Sequence, residues 1–139
     1  MTAEENKTVV RALWEGLFNR GDVALAHDLI APDFVNHAIP GAAPGPEALA
    51  QAARLYRAAF PDGLFAIEEM LADGDRVAMR NTFTGTHRSV FMGVSPTGRR
   101  VTQEQIHIVR VVGGKVAEHR AVRDDLTLLR QLRAIPAQE

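Results

Sequence analysis

Cysteine is absent from the 139 residues. Without it the chain has no disulfide staple, no thiol nucleophile and no thiolate for a metal, and it suits a reducing compartment. Charge of one sign is scarce as well. Sixteen Lys and Arg stand against 17 Asp and Glu, a net of −1, so no global field draws the chain to nucleic acid or to an anionic membrane. No apolar run approaches the roughly 20 residues that a bilayer-spanning helix needs. The opening Met1-Thr2-Ala3-Glu4-Glu5-Asn6 is acidic where a signal peptide is basic and then apolar. These absences set the expectation of a cytoplasmic protein with neither nucleic acid nor membrane as a partner. What is present is 46% hydrophobic and 24% charged residues, the mixture of one globular domain over residues 1–139 that builds its core without staples.

The hydrophobic period changes once along the chain. Thr2 and Glu5 have capping-box spacing, and behind them Val10, Leu13, Trp14 and Leu17 share a helical face with Phe18 beside it. Asp22 is placed to cap a second helix through Leu25, Leu29 and Ile30, which Pro32 ends. A short extended piece over residues 33–37 leads into a Pro/Gly-rich loop. Pro46 then suits the first turn of a third helix with Leu49, Ala52, Ala53, Tyr56 and Phe60 on one face. From Phe65 the period becomes two, with a hairpin turn at Asp73-Gly74, a long strand from Arg76 to His87, and a final pair of strands joined at Gly113-Gly114. Leucines from Leu126 to Leu132 close the chain as a short helical turn. Three N-terminal helices followed by a mainly antiparallel sheet define an α+β fold, expected to curve around an internal pocket.

The last hairpin carries the polar signal. A two-residue turn at Gly113-Gly114 pairs His107 with Arg120 and Gln105 with Val122, and brings Gln103 near Asp124. One face then holds His107, Gln105, Gln103, Arg120 and Asp124, and the other holds Ile106, Ile108, Ala117, His119 and Ala121. A bulged three-residue turn there breaks this grouping by shifting the register one residue, because such a slip turns every later side chain over. The apolar set Ile106, Ile108, Ala117 and Ala121 is expected to be covered by a second copy of the chain, a homodimer through the sheet face.

Several segments in this order resemble the SnoaL-like polyketide cyclase family. They are Phe18-Asn19-Arg20-Gly21-Asp22, Phe34-Val35-Asn36-His37, Phe60-Pro61-Asp62, Gly74-Asp75-Arg76-Val77 and Gly85-Thr86-His87. After them come Gly93-Val94-Ser95-Pro96-Thr97-Gly98, Gly114-Lys115-Val116-Ala117-Glu118-His119, and Asp124-Asp125-Leu126 with its leucine-rich continuation. The resemblance implies a cone-shaped α+β barrel shared with nuclear transport factor two, scytalone dehydratase and ketosteroid isomerase. It also implies ring closure in polyketides by an intramolecular aldol reaction, with neither metal nor organic cofactor. The family's acid/base aspartate near the end of the last strand matches Asp124, and His107 and Gln105 resemble the polar residues across from it. Two positions depart from the pattern: Arg120 stands where tryptophan is common, and Asn81 where an aromatic residue is frequent.

Each candidate carries two readings. Asp124 is a general base against a carbon acid, or a strand-end cap or ion-pair partner of Arg120 or Arg123. His107 assists by holding a carbonyl oxygen or Asp124, or is a satisfied interior histidine. Arg120 binds an acidic ligand or neutralises Asp124. Gln105, His37, His87, Trp14 and Tyr56 complete the candidate substrate-binding set, with a structural role weighing more for His37 and His87. No His-x-His or His-x-x-x-His spacing supports a metal, and Asp125 is expected on the surface. The functional expectation is a cofactor-free acid/base enzyme acting on a small, largely apolar carbonyl compound. The rivals are a non-catalytic ligand-binding protein and a dimeric interaction module of the same fold.

Overall fold

A computed structural model describes residues 1–136. Helix α1 (Ala3–Leu13) starts where its cap predicts, with the Thr2 hydroxyl accepting from the Glu5 amide at 3.1 Å. It runs on into a π-helical segment, Trp14–Asn19. The wider turn sets Trp14 and Phe18 in a stack 5.4 Å apart, both facing the sheet. Asn19 ties this segment to the first sheet hairpin: its amide accepts from Phe65 N–H at 2.8 Å and donates to Phe65 C=O at 2.9 Å. Helix α2 (Ala24–Leu29) has Val23 at its cap position, and no side chain caps it, so Asp22 does not have the capping role its position suggests.

Pro32 does not end that helix. It lies inside a strand, β1 (Ile30–Asn36), which runs parallel to the last strand at the edge of the sheet. An edge strand tolerates proline because the missing N–H costs no ladder bond there. Helix α3 (Pro46–Ala59) buries Leu49, Ala50, Ala53, Tyr56 and Ala59. The sheet continues with β2 (Leu64–Asp73), β3 (Arg76–Thr86), β4 (Arg100–Val112) and β5 (Lys115–Arg123), in the spatial order β1-β5-β4-β3-β2. A short α4 (Asp125–Gln131) follows, burying Leu128. Helices on one face of a curved five-stranded sheet give the expected α+β fold. An aromatic cluster of Phe18, Tyr56, Phe60, Phe65, Phe83 and Phe91 fills one end of the space between the layers, with ring centroids about 5 Å apart.

The β4–β5 hairpin departs from the pairing expected of it. The turn is the two-residue one: Gly113 and Gly114 both have positive φ, 57° and 79°, and Val112 faces Lys115. Glycine suits a turn that needs two such residues in succession. The irregularity lies one step further along. Val111 pairs Val116 but Arg110 pairs Glu118, so Ala117 is an extra residue in β5. Beyond it the register shifts: His107 faces Ala121, Ile108 faces Arg120 and Val109 faces His119. His119, Ala121 and Arg123 therefore turn inward, while Arg120 and Val122 turn outward. The expected inward placement of Arg120 and outward placement of His119 and Ala121 are both corrected by this bulge.

Candidate active site

Between the sheet and the helices lies a partly open cavity of about 30 Å³, room for one or two water molecules. Trp14, Phe18, Leu49, Tyr56 and Phe65 line its apolar side, and Asn36, Gln105, His107, His119 and Arg123 its polar side. Each polar residue arrives by a separate structural cause. Gln105 and His107 are alternate residues of β4, whose strict period-two burial sends them inward. His119 and Arg123 come from β5 beyond the bulge. Asn36 ends β1, and the parallel pairing of β1 with β5 sets it beside His119.

These groups are joined to one another. His107 Nδ1 lies 2.8 Å from His119 Nε2, and His107 Nε2 lies 2.8 Å from Gln105 Oε1. Gln105 Nε2 donates to Gln103 Oε1 at 2.9 Å, and Gln103 Nε2 donates to Asp125 Oδ1 at 2.9 Å. At the other end His119 Nδ1 meets Asn36 Oδ1 at 2.9 Å. Trp14 stands edge-on to both imidazoles, 5.3 Å from His107 and 5.2 Å from His119. Burial pushes the His107 pKa down to about 4, with the Arg123 cation adding to the effect. Burial lowers His119 strongly too, followed by the charges of His107, Arg123 and His37. Both rings are neutral at pH 7. Burial raises the Tyr56 hydroxyl, which Arg123 partly opposes. The site is thus a neutral imidazole facing a mostly apolar cavity, with a phenol and a guanidinium as its polar neighbours. Burial leaves the imidazole free of a proton while weakening it as a base, and the donors beside it can hold the oxygen where charge develops as a proton leaves carbon.

The structure brings together His107, Gln105, Trp14 and Tyr56 of the expected site residues, and leaves four outside. Asp124 sits at the exposed end of β5 and caps α4: its carboxylate accepts from Thr127 N–H at 3.0 Å and from the Thr127 hydroxyl at 2.6 Å. Those bonds, the hydroxyl's first, hold its pKa below the usual carboxylate range. The expected convergence of His107, Arg120 and Asp124 in one pocket does not occur, because the bulge puts Arg120 and Asp124 on the outward face. His37 turns from the cavity toward Glu118, 3.9 Å away. His87 is fully buried beneath the loop after β3, where Thr97 N–H and the Thr97 hydroxyl meet its Nδ1 at 3.2 and 3.0 Å. Asn36, His119, Arg123, Gln103 and Asp125 are the members that pattern reading did not assign to the site. The Glu118-His119 pair and the Gln-x-Gln-x-His alternation of β4 were visible, but only the bulge joins them.

Alongside the cavity, an apolar groove of about 500 Å³ follows α3 and the loop before it, lined by Ala48, Gln51, Ala52, Leu55, Ala42 and Ile39. Ile39 and Ala52 border both spaces. Among the described residues no helix is long and apolar enough to cross a membrane.

Known proteins resemble this chain over nearly all its length. The profile of the SnoaL-like polyketide cyclases matches residues 7–132. The nogalonic acid methyl ester cyclase of Streptomyces nogalater is 35% identical over 118 residues, covering 83% of this chain and 88% of that protein. The aklanonic acid methyl ester cyclase DauD of Streptomyces sp. (strain C5) is 33% identical over 132 residues, covering 89% and 79%. Among solved structures, IdmH of Streptomyces antibioticus superposes with a TM-score of 0.79 at 34% identity, covering 92% of this chain and 98% of that one. TsrD of Streptomyces laurentii superposes with a TM-score of 0.90 over 97% and 99%; at 24% identity it shows the shared fold.

Proposed function

Because this chain belongs to the SnoaL-like polyketide cyclase family, we propose that it is a cofactor-free acid/base enzyme closing a ring in a polyketide-derived ester. The proposed reaction is an intramolecular aldol addition with His107 as its base. The observation that carries this reading is the buried, neutral His107 imidazole bordering a mostly apolar cavity. His107 removes a proton from the carbon beside a carbonyl, and the resulting enolate carbon attacks a second carbonyl within the same molecule. The alkoxide so formed takes the proton back, and nothing is lost or gained overall. Tyr56 and Arg123 donate to the oxygen on which charge develops. An apolar surround favours this chemistry because it strengthens those bonds and keeps water from the enolate. The cavity admits only the reacting end of such a substrate, and the groove beyond Ile39 and Ala52 suits an apolar ring system. In this reading Asp124 caps α4, and Arg120, His37 and His87 hold the fold or its surface.

The same reading includes a homodimer through the outer face of β4 and β5, where Ile106, Ile108 and Val122 are exposed, and a cytoplasmic location, which the absence of cysteine supports. The test is turnover of nogalonic and aklanonic acid methyl esters by the metal-free protein. His107→Phe keeps the ring's bulk and removes its basicity. It should lower kcat by at least about a hundredfold while the far-ultraviolet circular dichroism is retained. Unchanged turnover in that variant refutes His107 as the base.

A further inference from the structure

Five hydrogen bonds run in series across the inner face of the sheet. They join Asn36 to His119, His119 to His107, His107 to Gln105, Gln105 to Gln103, and Gln103 to Asp125. Each bond needs one hydrogen. A neutral imidazole brings one, and an amide side chain bonded through both its oxygen and its nitrogen also brings one. The two ends bring none. Asn36 Oδ1 receives the Ala38 backbone N–H at 3.0 Å, which fixes it as an acceptor. Asp125 is a carboxylate 3.7 Å from the Arg123 guanidinium. Two imidazoles and two glutamine amides thus supply four hydrogens to five bonds. Turning either glutamine over moves the deficit along the series and never removes it.

We propose that this deficit is built to accept a proton at His107 Nε2, and that His119 and Asp125 are positioning residues which hold the vacancy there. The location we assign takes Asn36 as the fixed end and both glutamines with their nitrogens toward Asp125. Asn36 draws the His119 hydrogen to Nδ1, which leaves His119 Nε2 bare to accept from His107 Nδ1–H. His107 Nε2 is then without a hydrogen and faces Gln105 Oε1, an acceptor. Both border the cavity, where the reacting carbon must sit. A proton arriving from substrate completes the series, since His107 Nε2–H donates to Gln105 Oε1. Returning the proton to the alkoxide restores the vacancy. The charged and titratable groups around the pair divide by sign. Asp125 at the start of α4 favours the extra proton, as does Glu118 beside His37, while Arg123 on β5 and His37 after β1 oppose it. Tyr56 comes from α3, and from α1 and its π-helical extension only Trp14 and Phe18 approach. Burial keeps the series one hydrogen short at neutral pH. This inference rests on His107 being the base, and it adds what prepares His107 for that role.

Asp125→Asn tests it, because an asparagine can donate where the carboxylate cannot. Its amide hydrogen enters at Gln103 Oε1, both glutamines turn over, and Gln105 Nε2 donates to His107 Nε2. Five hydrogens then serve five bonds with both rings neutral, and the vacancy is gone. The measurement is the 15N spectrum of the imidazole nitrogens in the whole protein through an acid titration. In the wild type at pH 7 both His107 and His119 should carry hydrogen on Nδ1 and none on Nε2, and the two rings together should take up one proton. In Asp125→Asn the titration midpoint should fall by about one pH unit or more, a tenfold loss of proton affinity. Its kcat should fall about tenfold or more with the melting temperature held or raised, and Asp125→Glu, which keeps the acceptor, should restore much of both. A wild-type His107 with hydrogen on Nε2 and none on Nδ1, or uptake of two protons, overturns the proposal. An unchanged titration in Asp125→Asn overturns it too. Turnover surviving His107→Phe while these spectra appear as stated would remove the base and leave the hydrogen count standing.

Discussion

The two faces of the β4–β5 hairpin reverse the usual distribution of polarity. Inward stand Gln103, Gln105, His107 and His119, all buried, and outward stand Ile106, Ile108 and Val122, with 54%, 42% and 77% of their surfaces exposed. The inner face is costly, since a buried polar group is tolerated only when bonded. Here each such group lies at hydrogen-bond distance from the next. The outer face is individually cheap, because scattered exposed aliphatics are common. Ile106 and Val122 are directly paired across the strands, however, and Ile108 is the next outward residue, so they form a continuous patch suited to association. The same two strands thus carry a reaction site on one side and a proposed contact on the other.

Mutations on the two faces should differ in kind as well as size. Trp14 packs against both imidazoles from the helix side and is 1% exposed, so Trp14→Ala should cost the most, about 3–5 kcal/mol of unfolding free energy in urea titrations. A loss under about 1 kcal/mol would mean the helix layer does not rest on the inner face as described. Next in size is a pH effect confined to the interior. His107 has its pKa lowered from 6.5 to about 4, so the unfolded chain binds more protons between those values. Its contribution is therefore complete above pH 6.5 and is lost as the pH falls toward 4, a decline of roughly 3 kcal/mol. His107→Phe should flatten much of that slope, and an equally steep slope in the variant would place its origin elsewhere.

Asp124 sharpens the contrast from the outward side. Asp124→Ala removes the cap of α4 and should lower the melting temperature by a few degrees while leaving kcat close to wild type. A large loss of kcat with unchanged melting temperature would return Asp124 to the reaction. The smallest effect on folding belongs to the patch itself. Ile106→Lys with Val122→Lys should leave the unfolding free energy of the protomer within about 0.5 kcal/mol and convert a dimer to a monomer by light scattering. A wild-type protein that is already monomeric at micromolar concentration would sink the association role of this face.

Much of this molecule was legible in its sequence, and the limits fall at identifiable residues. The Thr2 cap, the helical face of Val10, Leu13, Trp14 and Leu17, and the Gly113-Gly114 turn are local matters, decided by side chains and dihedral preferences within a few positions. The alternation of β4 was equally plain, since its period-two burial put Gln103, Gln105 and His107 on one side before any partner was known. Pro32 is the counter-case: a proline reads as a helix end unless the neighbouring strand is known, and that neighbour, β5, lies more than 80 residues further on.

The sequence by itself determined the order of helices and strands and the inward row of β4, because hydrophobic period and turn chemistry act over short spans. Tertiary structure decided which face β5 presents. The bulge at Ala117 exchanges His119 for Arg120 inside, and a period-two pattern looks the same on either side of a bulge until both strands are paired. It also decided that Asn36 meets His119, through a parallel pairing whose hydrogen bonds connect residues 83 positions apart. A hydrogen-bond series can be counted only when both of its ends are fixed, and here the ends lie on β1 and α4, which only the folded sheet brings to the same interior.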